Sequence, residues 1–177
     1  MKYYLKENFR FLYADGQLYD EDGDAIYTYE NTTLLFPQIN LYRGDVLLGH
    51  VKKNFTWFLR NYDIYYNDEL IDSLDQKFTF FRSELELERL GWKIKGDFFN
   101  WHYQIYNEND EMIAQVDQEI FRFTQRFYVD IYDEENEVLI LLLVLAINQF
   151  DKDVAASAAA SSHSSSHNYR RQICLRK

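Results

Sequence analysis

The feature that most constrains this chain is an unbroken apolar run of ten residues, 138–147 (VLILLLVLAI). A membrane-spanning helix needs about 20 apolar residues, and carboxylates flank this shorter run on both sides. Its length and leucine content favour a helix over a buried strand. We predict a helix over about residues 137–150, in which Asn136 caps the N-terminus and Glu137 suits the positive end of the helix dipole.

A helix that is apolar on every side has to be surrounded by protein on every side. We therefore expect this helix to lie at the centre of the core, with Leu139, Leu142, Leu143 and Ala146 as its core residues. The rest of the chain has to supply the wall around it.

The composition of the rest of the chain is that of a β-rich domain. Its 177 residues fit a single domain, which buries roughly 70% of its unfolded surface. Aromatic residues make up 18% of the chain, and there is one proline. Bulky residues of this kind favour strands. A single cysteine excludes an internal disulfide, and the charged N-terminal residues leave no room for a signal-peptide core, so we predict a cytoplasmic protein without a transmembrane span.

The charge of the chain is unevenly distributed. Residues 154–177 contain four bases and no acid, so the other 153 residues carry 15 bases against 29 acids, a net charge of −14. A body this acidic repels nucleic acid and anionic lipid at long range. We predict no nucleic-acid partner, and a peripheral contact with a membrane would require a local basic patch.

Two hairpins are predicted near the N-terminus. Aromatic and polar positions alternate through residues 1–36, and the dipeptides Asp15-Gly16 and Asp22-Gly23 separate the alternating runs. Asp-Gly between alternating runs is a strong hairpin signal.

An internal repeat occupies the middle of the chain. Residues 48–58 (LGHVKKNFTWF), 71–81 (IDSLDQKFTFF) and 113–123 (IAQVDQEIFRF) share their aliphatic positions, a polar pair and a final Phe. The first and third copies are each followed by a similar alternating run. We interpret the repeat as a duplicated meander of strands.

About twelve strands can be counted before the helix. An eight-stranded barrel is filled by its own side chains, so a larger one needs a plug. The sequence thus predicts a mainly β fold: a closed antiparallel barrel of about twelve strands wrapped around a buried hydrophobic C-terminal helix. We expect this domain to occupy residues 1–153, followed by a low-complexity Ala/Ser linker and a short basic tail in residues 154–177.

At this point the chain resembles a known family. Residues 91–106 (GWKIKGDFFNWHYQIY), the repeated units and the terminal LLLVLAIN helix are similar to the bacterial LURP-one-related proteins. That family shares its fold with the C-terminal domain of Tubby-like proteins and with phospholipid scramblases. The resemblance implies a twelve-stranded barrel around a hydrophobic helix. It implies no activity, and the basic pair through which Tubby domains bind phosphoinositide has no counterpart that we can match here.

Five basic residues are candidates for a lipid-headgroup site: Lys52, Lys53, Arg82, Lys93 and Lys95. Lys93 and Lys95 share one face of their strand, because side chains alternate along a strand. The five would form a patch if their strands are neighbours. The alternative is that outward lysines only protect exposed strands from pairing with other chains.

The acidic run Asp20-Glu21-Asp22-Gly23-Asp24 suggests calcium, which prefers clustered carboxylates. An EF-hand register starting at Asp20 places Ala25 where glycine is required, so a solvated turn is the preferred interpretation. His163 and His167 have a metal-ligand spacing but lie in the Ala/Ser linker, and Cys174 has no partner group. We predict neither a metal site nor a cofactor.

No enzyme motif occurs in the sequence: there is no phosphate-binding glycine loop, nucleophile elbow, HExxH or paired-cysteine knuckle. We therefore expect a non-enzymatic binding or scaffold domain with a peripheral lipid headgroup or a protein as candidate partner. The alternative is a small-ligand carrier or an enzyme that uses the mouth of the barrel as its cleft.

Overall fold

The structure is a computed structural model, and it describes residues 1–8, 15–32, 38–56, 59–75, 84–97, 100–121 and 124–153. The expected linker and basic tail, with His163, His167 and Cys174, lie outside these residues, as does Arg82. The domain boundary at residue 153 therefore stays a prediction.

Twelve strands form the wall of the domain, in agreement with the number predicted. They are β1 (Lys2–Asn8), β2 (Gly16–Tyr19), β3 (Ala25–Asn31), β4 (Gln38–Arg43), β5 (Val46–Thr56), β6 (Leu59–Tyr66), β7 (Glu69–Asp75), β8 (Glu84–Leu87), β9 (Trp92–Asp97), β10 (His102–Tyr106), β11 (Met112–Phe121) and β12 (Thr124–Ile131).

Alternation of side chains explains why these segments form a wall with one apolar face. In β8, Leu85 and Leu87 are buried while the two glutamates between and before them are exposed. In β9, Trp92 and Ile94 are buried and the intervening lysine is only partly covered. Successive side chains of a strand point to opposite faces, so each strand presents its apolar set to the interior.

All neighbouring strands are antiparallel, and the first strand pairs with the last. The order in the sheet is β7-β6-β5-β4-β3-β2-β1-β12-β11-β10-β9-β8. β1 pairs with β12, for example Tyr3 with Val129, so the first and last strands of the chain are neighbours in the sheet. This pairing curls the sheet into a barrel.

The barrel is nearly closed, and the predicted fold class of a mainly β barrel around a C-terminal helix is confirmed. The described residues of β7 and β8 form no ladder with each other, so a seam remains between them. The buried carboxylate of Asp72 bridges the seam at one end by accepting hydrogen bonds from the backbone N–H groups of Arg89 (2.9 Å) and Leu90 (3.0 Å). A side-chain contact here replaces the backbone ladder found elsewhere.

The first and third copies of the repeat occupy equivalent strands. On β5 and β6, Gly49 pairs with Tyr66 and Thr56 pairs with Leu59. On β11 and β12, Ala114 pairs with Ile131 and Phe121 pairs with Thr124, so every partner is 65 residues further on. The two hairpins therefore have the same register, six strands apart in chain order. The second copy begins on β7, which occupies the position of β1 in this repeat of six strands, so it is not a third equivalent unit.

A single helix, α1, begins at residue 137 and extends to residue 153, the last residue that the structure describes. Every residue from Ile140 to Phe150 is buried. Of the predicted core residues, Leu142, Leu143 and Ala146 are 0–1% exposed, and Leu139 is partly buried against the same cluster. The prediction of a helix enclosed by the barrel is confirmed.

The sheet comes close to the helix at Gly49. A Cβ atom at this position would lie 2.7 Å from Cδ1 of Leu142 and even closer to the carbonyl oxygen of Tyr65. Glycine is thus required on β5, chiefly because the backbone carbonyl of Tyr65 on the neighbouring strand leaves no room for a Cβ atom.

Details of the predicted caps and turns differ from the expectation. The carbonyl of Asn136 accepts the helical hydrogen bond from Ile140 N–H (2.9 Å), but its side-chain amide donates to Asp133 (2.8 Å) instead of capping the helix. The Asp22-Gly23 turn joins β2 to β3 as predicted, with Gly23 at φ 90°. Gly16 lies within β2, and the turn before it falls outside the described residues.

Candidate functional site

A buried polar cluster surrounds the start of α1, at the end of the barrel that we call the mouth. The carboxylate of Glu137 is 10% exposed and accepts hydrogen bonds from the hydroxyl groups of Tyr3 (2.6 Å) and Tyr27. A guanidinium nitrogen of Arg43 lies 3.6 Å from the same carboxylate and donates to the Tyr27 hydroxyl. β1, β3 and β4 thus each contribute one side chain to hold the first residue of the helix.

Burial and the neighbouring carboxylate both keep the two tyrosines protonated. Desolvation raises the pKa of Tyr3 and of Tyr27 well above the ordinary value, and the hydrogen bond that each donates to Glu137 raises it further. The guanidinium of Arg43 opposes these shifts without cancelling them. The two hydroxyls therefore act as fixed donors, not as bases.

A cavity of about 610 Å³ opens above this cluster, and we call it the mouth cavity. Its lining includes Tyr3 and Arg43 from the cluster, Ile26, and three consecutive acids of the β2–β3 turn, which are Asp20, Glu21 and Asp22. It is large enough for a small ligand or for a few side chains of a partner. The interior below it is filled by the helix.

A second buried cluster lies at the other end of the helix. The ammonium group of Lys53 and the hydroxyl group of Tyr62 both donate to the carboxylate of Asp153. The Lys53 and Asp153 side chains are 7% and 4% exposed. The ring of Tyr62 also packs edge-on against Phe150, so this cluster fixes α1 to β5 and β6.

The structure places the predicted lipid-site residues in different environments. Lys52 and Lys53 are consecutive on β5 and point to opposite faces, so Lys52 is exposed while Lys53 is buried against Asp153. Lys93 forms an ion pair with Asp110 (2.7 Å), which raises the pKa of Lys93. Lys95 lies 3.7 Å from Glu84 and over the ring of Tyr106. Arg82 lies outside the described residues.

The strand order also separates these bases. Lys52 is on β5 and the pair Lys93 and Lys95 is on β9, and β6, β7, the seam and β8 lie between them. The described members of the set are therefore not brought into a single patch.

The acidic turn shows no arrangement of ligands for a cation. Asp20 accepts a hydrogen bond from the backbone N–H of Asp24 (2.9 Å), which closes the turn. Across the part of the chain that the structure describes, no group of three or more His, Cys, Asp or Glu side chains is placed to hold a metal ion. Among the same residues, no helix is long and apolar enough to cross a membrane.

Sequence reasoning did not identify Tyr3, Tyr27 and Tyr62 as partners of the helix ends. Tyr3 and Tyr27 are 134 and 110 residues from Glu137 along the chain, and Tyr62 is 91 residues from Asp153. In a chain with 15 tyrosines, no local pattern distinguishes these three.

A twelve-stranded barrel with its C-terminal helix as core defines the class of protein, and comparison with known proteins agrees. The family model described as LURP-one-related matches residues 1–148. The chain therefore belongs to the LURP-one-related family, as its motifs indicated.

One solved structure of similar fold is the X-ray structure of a protein from Arabidopsis thaliana. It is 10% identical to this chain, covers 83% of this chain and 91% of its own, and superimposes with a TM-score of 0.51. This likeness supports the fold alone. No curated protein matches the sequence.

Proposed function

We propose that this chain is a non-enzymatic binding domain that recognises its partner through its outer surface and mouth. The single observation that supports the proposal best is the occupied interior. Residues 140–150 fill the barrel, and side chains from β1, β3, β5 and β6 hold both ends of the helix. A carrier or an enzyme that binds its ligand inside the barrel would need that interior as its cleft, so only the mouth and the outer surface remain for binding.

The first ligand class to test is an anionic lipid headgroup, in line with the proposed likeness to Tubby-like domains and scramblases. Its support within the described residues is Lys52, which is exposed on the outer face of β5. Near an anionic membrane each such base contributes about 1 kcal/mol. The acidic body opposes this attraction, so we propose only weak attachment that depends on salt.

Co-sedimentation of the full chain with vesicles of graded anionic lipid content tests the lipid proposal. We expect recovery to rise with anionic content and to fall between low and physiological salt, because screening shortens to about 8 Å. Lys52→Gln should lower recovery. The matched control Lys2→Gln should lower it less, because Lys2 is already paired with Asp130 at 3.3 Å. Equal recovery with neutral and anionic vesicles would refute the lipid proposal and leave a protein as the partner.

The mouth cavity favours a second candidate function, the binding of a small polar ligand. Its volume of about 610 Å³ is sufficient, and its lining combines carboxylates with Arg43. A thermal-shift survey of small metabolites with wild type and Ile26→Trp, which would fill part of the cavity, tests this candidate. A ligand that stabilises both proteins equally does not bind in the cavity.

A further inference from the structure

Several exposed apolar side chains among the described residues lie at the mouth. Met1, Val46, Leu47, Met112 and Tyr132 are 39–62% exposed. β1, β5 and β11 start at the mouth and β12 ends there, so all five residues lie at the end where α1 begins. Exposed apolar residues that are grouped together and rimmed by polar ones indicate a binding surface.

These apolar residues flank the mouth cavity on both sides. On one side, the backbone N–H of Ile131 donates to the carbonyl of Met1 (2.7 Å). The backbone N–H of Tyr132 donates to the carbonyl of Ile113 (2.9 Å). Met1, Tyr132 and Met112 are therefore on adjacent strands.

On the other side of the cavity, Val46 pairs across the β4–β5 turn with Arg43. Arg43 itself lines the cavity, so the apolar side chain of Val46 is next to its rim. A partner that enters the cavity would thus contact apolar groups on both flanks.

The uncompensated charge of the cavity is negative. Two bases also line the cavity, and each is paired with an acid. Arg43 lies 3.6 Å from the carboxylate of Glu137, and Lys2 lies 3.3 Å from the carboxylate of Asp130. Within the described ranges, no base lies within 4.0 Å of the Glu21 or Asp22 carboxylate, although Glu21 attracts Lys2 at longer range. The N-terminal ammonium of Met1 also lines the cavity, and it offsets only one of the three acids of the turn. The surface therefore fits a partner that is both cationic and partly apolar.

The chain itself contains a segment of this chemistry. Residues 169–177 (YRRQICLRK) carry four bases and no acid, together with Tyr169, Ile173 and Leu175. The segment follows α1, whose 17 residues span about 25 Å from the mouth to the opposite end. The 15 intervening residues 154–168 reach at most about 50 Å when extended, which is long enough to return along the outside of the barrel.

We propose that residues 169–177 dock at the mouth of their own barrel, with bases against Glu21 and Asp22 and apolar side chains against Met1 and Tyr132. This docking goes beyond the proposed function, because it gives the mouth an internal occupant. Any outside partner that uses the mouth has to displace this segment.

Cys174 offers a direct test, because it is the only cysteine of the chain and lies inside the segment. A nitroxide attached to Cys174 broadens the amide signals of the residues it approaches. In the full chain at low salt, we expect Gly23, Leu47 and Tyr132 to lose intensity relative to the sample with reduced nitroxide, while Asn54 and Asn61 at the opposite end keep theirs. High salt should restore the lost intensity, since the contact is electrostatic in part.

A pair of charge-matched variants locates the contact. Glu21→Gln with Asp22→Asn should abolish most of the intensity loss. Asp68→Asn with Glu69→Gln removes the same charge at the same end, in the β6–β7 turn away from the cavity, and should leave the loss unchanged. Equal effects of the two variants, or broadening elsewhere or nowhere, would overturn the proposal.

Mixing experiments separate docking within one chain from docking between chains. When isotope-labelled chains without nitroxide are mixed with unlabelled chains that carry it, we expect no broadening. Broadening in the mixture, or a loss that grows with protein concentration, would show that the segment occupies a second copy and would overturn the intramolecular assignment.

Discussion

The two ends of α1 are held by the same kinds of group, but the number of tyrosines and the burial of the cation differ between them. At the mouth, Glu137 accepts from two tyrosine hydroxyls and faces Arg43, whose side chain is 55% exposed. At the other end, Asp153 accepts from one tyrosine hydroxyl and from Lys53, whose side chain is 7% exposed. Each end has a carboxylate, a cation and at least one tyrosine.

The helix dipole makes these two arrangements unequal. Glu137 lies at the positive end of the dipole, which stabilises its charge. Asp153 lies toward the negative end, which opposes its charge, so Asp153 depends on a buried cation. We therefore expect the mouth to tolerate the loss of Arg43 better than the opposite end tolerates the loss of Lys53.

Loss of the helix core should have the largest effect. Leu142→Asp places a carboxyl group at a position that is 0% exposed. The free-energy cost of burying this group without a partner is large compared with the roughly 5–15 kcal/mol net stability of a typical domain. We expect no cooperative thermal transition by circular dichroism. Leu139→Asp, at a partly buried position on the same helix, is the graded control and should retain a transition. A native-like melt of Leu142→Asp would show that the helix is not the core.

Removal of the buried lysine should come next. Lys53→Met removes the ammonium group that donates to the buried carboxylate of Asp153, and breaking such a buried pair costs about 3–5 kcal/mol. Urea unfolding measures this loss. The double variant Lys53→Met with Asp153→Leu should recover most of it, since both charges are then absent. Full stability of the single variant would remove the distinction between the two ends.

Loss of one tyrosine hydroxyl at the mouth should have an intermediate effect. Tyr27→Phe removes a hydrogen bond to the charged Glu137, which is worth about 1.5–3 kcal/mol. Tyr19→Phe is the matched control, because its hydroxyl donates to Gln17 at an exposed site (2.9 Å). Equal unfolding midpoints of the two variants would mean that the mouth cluster does not hold the helix.

The same tyrosines predict a loss of stability in alkali. Their pKa values are raised in the folded state above the ordinary tyrosine value of about 10. The folded protein then binds more protons than the unfolded chain above that pH, so this stability is present below pH 10 and lost as pH rises beyond it. Urea midpoints between pH 9 and 11 should fall less steeply for Tyr27→Phe than for wild type. Parallel slopes would contradict the assigned hydrogen bonds.

Replacement of the exposed cation should have the smallest effect. Arg43→Met leaves Glu137 with two hydroxyl donors and the helix dipole, and a pair with one half-exposed partner contributes about 0–1 kcal/mol. The unfolding free energy of Arg43→Met should therefore lie close to that of wild type. A loss as large as that of Lys53→Met would show that the two ends are equivalent after all.

The sequence predicted the architecture well because local patterns determine it. The ten-residue apolar run required a surrounding wall, and alternation in the other segments supplied twelve strands. The repeat predicted the equivalent hairpins, whose 65-residue spacing reappears in the strand register. The position of the seam between β7 and β8 could not be read from the sequence, because strand pairing depends on contacts that no local pattern reports.

The candidate site was less predictable, because it joins distant parts of the chain. Lys53 and Asp153 are 100 residues apart, and the lysine was assigned to a surface patch. Alternation along β5 does indicate that only one of Lys52 and Lys53 can face outward. Which of the two faces inward depends on the partner that the helix brings, and this partner lies outside any local window.

The pairing of the first strand with the last has a consequence for synthesis of the chain on the ribosome. β1 has to wait for β12, since Tyr3 pairs with Val129, and the core of the barrel is made after both. Contacts between residues so far apart in sequence slow folding. Until residue 153 has been made, the apolar inner wall has no helix to cover it, and exposed apolar surface on a nascent chain promotes aggregation. The nascent domain is therefore most exposed to aggregation until its last helix emerges.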